Sequence, residues 1–327
     1  MTILIACIAV VAAVILGLVA FTAFIARKVE KALPPRGKFI EIDGARLHYI
    51  DQGQGPVIVM VHGLGGQTGN FSYALLERLT PRFRVILVDR PGSGYSTRPA
   101  GMSARLRTQS EVIAKFMRAL DLKDPLLVGH SLGGAVALGV ALDHPGAAAG
   151  LALIAPLTHP VAGTPAVFRA LAVSPAALRR AVAWTLAVPR SILRGRDMLE
   201  FVFSPERPPA DFGTAGGGLL GLRPGAFYAA SSDMTSLAED LPSMAGRYAS
   251  LALPVSILYG TADAILDWRA HGQAMKDKLP ALELELVPGG HMLPVTIPDQ
   301  AAAWLAAAAE RTRLAGAPAR GPCLSPA

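Results

Sequence analysis

Cysteine is nearly absent from the chain. Only Cys7 and Cys323 occur in 327 residues, which excludes the disulfide framework of a small secreted scaffold. Two lone thiols without metal-ligand or C-x-x-C spacing also exclude a cysteine zinc site or a dithiol redox site. Charge is scarce too. Charged side chains make up 17% of the residues and hydrophobic ones 52%, against roughly 25% charged in ordinary soluble domains, and that balance excludes an intrinsically disordered chain. The net charge of +7 suggests nucleic acid only until it is located. Arg27, Lys28, Lys31, Arg36 and Lys38 against the single Glu30 account for +4, and residues 1–26 carry no charged side chain, so +3 remains for residues 39–327. A nucleic-acid-binding face concentrates far more. The length suits one enzyme-sized domain with an insertion.

The stretch from Thr2 to Ala26 is dominated by Ile, Val, Leu, Ala and Phe. At about 1.5 Å per residue, a helix of that length exceeds the roughly 30 Å hydrocarbon layer and crosses it with some tilt. A cleaved secretory signal would need a basic start and a small-x-small cleavage site. The start is not basic, and Leu18, Phe21 and Phe24 stand where Ala20, Ala23 and Ala26 would need small partners. A buried core helix seldom runs so long without a polar residue. The segment therefore reads as an uncleaved single-pass transmembrane helix over residues 1–26. The basic cluster that follows places the large domain on the cytoplasmic side by the positive-inside tendency.

Residues 27–37 read as a basic linker with Pro34, Pro35 and Gly37. Then Phe39–Ile42 and Leu47–Ile50 alternate about Asp43-Gly44, a hairpin signal. Short apolar runs follow at Val57–Val61, Val85–Val88, Leu126–Val128, Leu151–Ala155, Val255–Tyr259 and Leu284–Val287, with helical patterns between most of them. One such pattern, Thr108–Leu120, has a capping box in Thr108 and Glu111 and a stripe of Val112, Ile113, Phe116, Met117 and Leu120. Apolar strands alternating with helices predict a parallel sheet covered on both faces. Between Ala155 and Val255 the strand rhythm stops, leaving helical patterns, proline breaks and Gly216-Gly217-Gly218. The expected organisation is a core over 38–156 and 250–312, a helical cap over 157–249, and a disordered Ala/Pro/Gly-rich tail over 313–327. No internal repeat occurs.

Chemistry is concentrated at Gly129-His130-Ser131-Leu132-Gly133, followed by Gly134. It follows the Leu126–Val128 run and opens a helical pattern ending near Leu142. A serine on so tight a strand-to-helix turn is held in a strained backbone, and small residues two before and two after it avoid collisions with neighbouring elements. The turn lifts the Ser131 hydroxyl above the sheet, and the helix N-terminus offers the Leu132 N–H to a developing oxyanion.

This segment resembles the nucleophile elbow of the α/β-hydrolase superfamily, and the resemblance extends over roughly residues 38 to 310. It implies an α/β fold with a mostly parallel eight-stranded sheet flanked by helices and a helical cap inserted after strand 6. His62-Gly63-Leu64-Gly65-Gly66 is similar to the family's oxyanion loop, which makes the Leu64 N–H the second donor. Asp89 to Ser96 is similar to a loop of largely structural role.

A serine hydroxyl needs a base, and the base needs an orienting acid. Among seven histidines, His291 in Gly289-Gly290-His291-Met292 follows the last strand pattern and is the expected base. His48 lies in the hairpin, His62 in the oxyanion loop, and His130 points away from Ser131. His144 ends a helix, and His159 and His271 lie at the cap entrance and in a helix. Structural or solvated roles are expected for these six. Asp263, after Val255–Tyr259, is the expected acid, with Asp267 on the surface or facing the cap. The order Ser131, Asp263, His291 is the one expected of this fold.

These residues predict a serine hydrolase that cleaves carboxylic esters of apolar substrates through an acyl-enzyme, with neither metal nor organic cofactor. An aspartate-nucleophile dehalogenase or epoxide hydrolase does not fit Ser131. A cofactor-free haloperoxidase or perhydrolase, a carbon–carbon bond hydrolase and a non-catalytic binding or accessory protein are the alternatives on the same fold. Phe168, Trp184, Phe203 and Phe227, with Phe201, Phe212 and Tyr228, are candidates to line an apolar substrate slot, or else pack the cap on the sheet. Ser174-Pro175 reads as a helix start. Beyond it Arg179, Arg180, Arg190, Arg194 and Arg196 interleave with Leu178, Val182, Trp184, Leu186 and Leu193, a pattern for a basic cap helix resting on anionic lipid or for a solvated arginine face. The expected partners are thus a small apolar ester and the membrane, with no obligate protein partner evident.

Overall fold

In the computed structural model, residues 1–161, 163 and 166–316 are described. The hairpin pattern becomes β1 (Lys38–Ile42) and β2 (Ala45–Gln52), paired antiparallel around Asp43 and Gly44. Both turn residues have positive φ, 51° and 77°, the geometry a two-residue hairpin turn demands. The apolar runs become β3 (Val57–Val61), β4 (Arg84–Val88), β5 (Leu126–His130), β6 (Gly150–Ile154), β7 (Val255–Gly260) and β8 (Glu283–Val287). They form one eight-stranded sheet in the order β1-β2-β4-β3-β5-β6-β7-β8, antiparallel at β1 and β2 and parallel throughout the rest. This is the expected fold class.

One apolar cluster covers each face. Val59, Val61, Leu127, Leu153 and Ile257 pack with the helices Leu106–Ala119 and Leu132–Asp143. Ile58, Met60, Val128, Ile154 and Leu258 pack against Phe71, Leu75 and the helix Pro298–Gly316. The central strands are buried on both sides, so they read as continuous apolar runs. The edge strand β8 is mostly exposed.

Between β6 and β7 lie the helices Ala176–Trp184, Ala187–Phe203 and Pro224–Ala245, joined by short helical turns. They form the layer above the sheet's C-terminal edge. The helix Pro298–Gly316 runs past residue 312, so the tail does not begin at 313. Ala, Glu and Arg favour helix there, and 317–327 lie outside the described residues.

Several local expectations are corrected. The N-terminal helix spans Thr2–Ala32 instead of ending at 26, because Arg27 to Ala32 contains good helix formers and the first proline is Pro34. The segment 27–37 is not a free linker either. Thr22 and Val29 are buried against the domain, the Tyr95 hydroxyl donates to the Leu33 carbonyl, and His48 Nε2 lies 2.9 Å from the Arg36 carbonyl oxygen. The helix read as Thr108–Leu120 starts at Leu106, with no capping box. Its free Arg107 N–H donates instead to Asp240 Oδ2 of the cap at 3.2 Å. Ser174 supplies no side-chain cap to the helix Ala176–Trp184, and Arg179 is turned inward. Its guanidinium donates to Ser231 and Thr235 at 2.9 and 2.8 Å.

Candidate active site

Three strand ends converge above the sheet. Ser131 follows β5 and starts the helix Leu132–Asp143 with φ 55° and ψ −120°. A non-glycine residue held there stores about 1–3 kcal/mol of backbone strain, and the turn's crowding explains the flanking glycines. A Cβ on Gly129 would collide with the Gly133 carbonyl, and one on Gly133 with the Val61 carbonyl of β3. With both absent, the elbow sits directly on the sheet. Ser131 itself is half-buried.

Asp263 lies in the loop after β7. Its Oδ1 accepts from the N–H groups of Ile265 and Leu266 at 2.8 and 3.0 Å, and its Oδ2 lies 2.7 Å from His291 Nδ1. Burial opposes the carboxylate charge. The His291 imidazole and the two backbone donors outweigh burial and hold its pKa below the ordinary value. His291 follows β8. The carboxylate fixes the Nδ1–H tautomer and leaves Nε2 as the free basic nitrogen. Asp267 is exposed and takes no part in this pair. Ser131 Oγ and His291 share no hydrogen bond in this structure.

The two expected backbone donors belong to segments that meet at the turn. The Leu132 N–H opens a helix, where the first N–H groups have no intrahelical acceptor. Leu64 belongs to the loop that crosses the elbow, and a Cβ on Gly63 would lie 2.9 Å from Ser131 Cβ and 3.4 Å from its Oγ. The orientation of the Gly63–Leu64 peptide is fixed from behind. The Gly63 carbonyl accepts from Arg90 Nη2 at 2.8 Å and from His62 Nδ1 at 2.9 Å. In a trans peptide the N–H points opposite to the C=O, so these donors turn the Leu64 N–H away from Arg90.

Arg90 was not singled out by sequence reasoning, and no contact with His291 was expected of His130. Arg90 is fully buried and pairs with Asp233 of the cap helix Pro224–Ala245 at 2.7 Å, while its Nε donates to the His62 carbonyl. Its position just past an apolar strand end, in Asp89-Arg90-Pro91, is the only signal the sequence holds. Asp233 also binds Arg98 at 2.6 Å, so one buried carboxylate joins cap to core. The His130 side chain, expected in a structural or solvated role, is buried, and its Nε2–H donates to the His291 carbonyl at 3.0 Å. Burial, then the neighbouring His291, pushes the His130 pKa down to about 3, so it stays neutral. Burial likewise pushes His62 and His271 down to about 4.

The aromatic candidates part company. Phe203 is fully buried against Phe212, with ring centroids 4.9 Å apart, in a cluster with Met292 beside His291. Phe168 and Phe227 are half-buried, Phe168 meeting Phe201 edge-on at 6.4 Å. Trp184 is elsewhere. It lines a cavity of about 430 Å³ with Ala23, Ala26 and Arg27 of the N-terminal helix, because the helix that carries it packs on that helix. Among the described residues no group of three His, Cys, Asp or Glu side chains is arranged to hold a metal ion.

Residues 56–296 match the family model for the alpha/beta hydrolase fold. A 99-residue stretch is 42% identical to the pimeloyl-[acyl-carrier protein] methyl ester esterase of Vibrio vulnificus, covering 30% of this chain and 36% of that one. Another of 112 residues is 32% identical to haloalkane dehalogenase 2 of Mycobacterium tuberculosis, covering 34% and 38%. The match thus spans little more than a third of these relatives. The solved structure of a membrane phospholipase A, a bacterial virulence factor, superposes with a TM-score of 0.67 at 24% identity over 95% of this chain and 97% of that one.

Proposed function

The chain belongs to the alpha/beta hydrolase fold family, and from that premise we propose that it is a membrane-anchored serine hydrolase of apolar carboxylic esters, of the carboxylesterase or lipase type. The observation that carries this reading is the 2.7 Å His291–Asp263 pair at the sheet edge where Ser131 occupies its strained turn. His291 Nε2 takes the Ser131 proton as Oγ attacks the ester carbonyl carbon. The carbonyl oxygen becomes an oxyanion that the Leu64 and Leu132 N–H groups receive, each worth roughly 3 kcal/mol. Collapse breaks the carbon–alcohol bond, and His291 returns the proton to the departing alkoxide. Water, deprotonated by the same imidazole, then splits the acyl-enzyme. Asp263 holds the tautomer and stabilises the imidazolium.

Ser131 supports ester over alkyl halide. Displacing halide with a serine oxygen would leave an ether that water does not cleave, whereas a carboxylate nucleophile leaves a hydrolysable ester. The Thr2–Ala32 helix is the anchor in this reading. Its packing on the cap through Thr22 and Val29 favours a retained segment over a removed signal, and Arg27, Lys28 and Lys31 favour a cytoplasmic catalytic domain.

A series of p-nitrophenyl esters of increasing acyl length, with the protein in detergent, tests the proposal. Turnover with a preference for longer chains is expected. Absence of hydrolysis across the series by folded protein overturns it.

A further inference from the structure

The N-terminal helix stands clear of the domain only at its beginning. Residues 2–17 are all exposed, and packing begins at Leu18. The uncharged run nonetheless continues to Ala26, past the point where packing begins. A bilayer that covers the whole uncharged run therefore reaches the packed part of the helix, which lies on the cap helices Ala176–Trp184 and Ala187–Phe203. The junction is stiff. Arg223 Nη1 lies 3.5 Å from Glu30, its guanidinium stacks 4.6 Å from the Tyr95 ring centre, and Tyr95 holds the Leu33 carbonyl.

Beside this junction the cap exposes large apolar side chains that soluble surfaces rarely group together. Leu178, Trp184, Leu186 and Leu193 are 50%, 42%, 57% and 80% exposed. Trp184 shares its cavity with Ala23, Ala26 and Arg27, the level at which the anchor changes from apolar to charged. That is the depth tryptophan prefers at a membrane surface. The arginines are a lesser part of this face, since Arg179 is buried, Arg194 and Arg196 pair with Asp197 and Glu200 at 3.1 and 2.8 Å, and only Arg180 and Arg190 of the five remain exposed outside such pairs.

We infer that this outer face of the cap, centred on Trp184, Leu186 and Leu193, is seated in the interfacial layer of the bilayer its own anchor crosses. The occupant is phospholipid, held chiefly by apolar contact and so independent of lipid charge. The inference rests on the anchor reading given above and extends it.

Full-length protein reconstituted in phosphatidylcholine vesicles tests it, using phosphatidylcholine brominated near the headgroup end of its acyl chains as quencher. Trp184→Phe isolates the Trp184 signal from those of Trp268 and Trp304. Bromolipid is expected to quench Trp184 emission, as the interfacial depth of tryptophan implies, with little quenching by aqueous iodide and the same result when phosphatidylglycerol is added. Leu186→Glu with Leu193→Glu is expected to reduce bromolipid quenching while the protein still floats with the vesicles. Iodide quenching without bromolipid quenching would put the face in water and overturn the inference. Shielding from both quenchers, growing with the protein-to-lipid ratio, would put a second copy on the face and overturn it equally. Carbonate-resistant flotation reads the anchor separately. Its loss would overturn both readings, whereas flotation without lipid quenching overturns only the docking.

Discussion

The His130 and His291 rings lie 4.9 Å apart at 46°, and His130 Nε2–H donates to the His291 carbonyl at 3.0 Å. The residue before the proposed nucleophile thus holds the backbone of the proposed base, and the elbow positions two members of the site at once. His130→Ala removes this support without touching any reacting atom. Small misplacement of a catalytic group costs ten- to about a hundredfold in rate. Steady-state kinetics should show a kcat drop of about that size with KM within about twofold. An unchanged kcat would show that His291 is held by other means.

Asp263→Asn keeps the shape of the acid but removes its charge and its control of the His291 tautomer. The expected fall in kcat is about 10⁴-fold, as for the equivalent change in a serine protease triad. Asp267→Asn, at an exposed carboxylate four residues on, should leave kcat within about twofold on the same reasoning. Comparable losses from the two variants would contradict the assignment of Asp263.

The Arg90–Asp233 pair is buried on both sides, with no exposure of either side chain. Asp233→Ala strands the Arg90 charge, and breaking a buried pair from one side costs about 3–5 kcal/mol. Removing Glu200 from its exposed pair with Arg196 should cost less than about 1 kcal/mol. Urea unfolding in detergent measures both. Asp233→Ala should also lower kcat, because Arg90 then loses the partner that aims it at the Gly63 carbonyl. Equal, small stability losses would mean the buried pair is not formed.

Buried histidines set an acid limit on stability. His62 and His271 are pushed down to about 4 and His130 to about 3, burial being the first cause in each. Unfolded histidine titrates near 6.5, so between pH 6.5 and 4 the unfolded chain binds more protons than the folded one. Stability is therefore full above pH 6.5 and falls on acidification, by about 1.4 kcal/mol per pH unit for each such group. Unfolding midpoints measured from pH 7.5 to 4.5 should decline steeply below pH 6.5. A flat profile would contradict neutral burial of these rings.

Much of the fold was legible because doubly covered strands need uninterrupted apolar runs. Val57–Val61 became β3 without change, and Gly129 and Gly133 marked where the elbow touches its neighbours. Tertiary contacts decided what was missed. Asp240 took the place of the Thr108 capping box, Arg179 turned inward to Ser231, and Trp184 lines a cavity with the N-terminal helix. Arg90 and Asp233 lie 143 positions apart, and no local pattern announces a partnership over that distance. The pairing of Asp263 with His291 was anticipated from their places after the last two apolar runs and from the resemblance to the superfamily, because parallel strands deliver their following loops to one edge.

The central claim is that Ser131 is a nucleophile activated by His291. Incubation of the folded protein with a fluorophosphonate, followed by denaturation, digestion and mass analysis of the peptide containing Ser131, tests it most directly. The account predicts one covalent adduct, on Ser131, formed by the native protein and abolished in His291→Ala. Native protein that hydrolyses esters but carries the adduct elsewhere, or carries none, would contradict it.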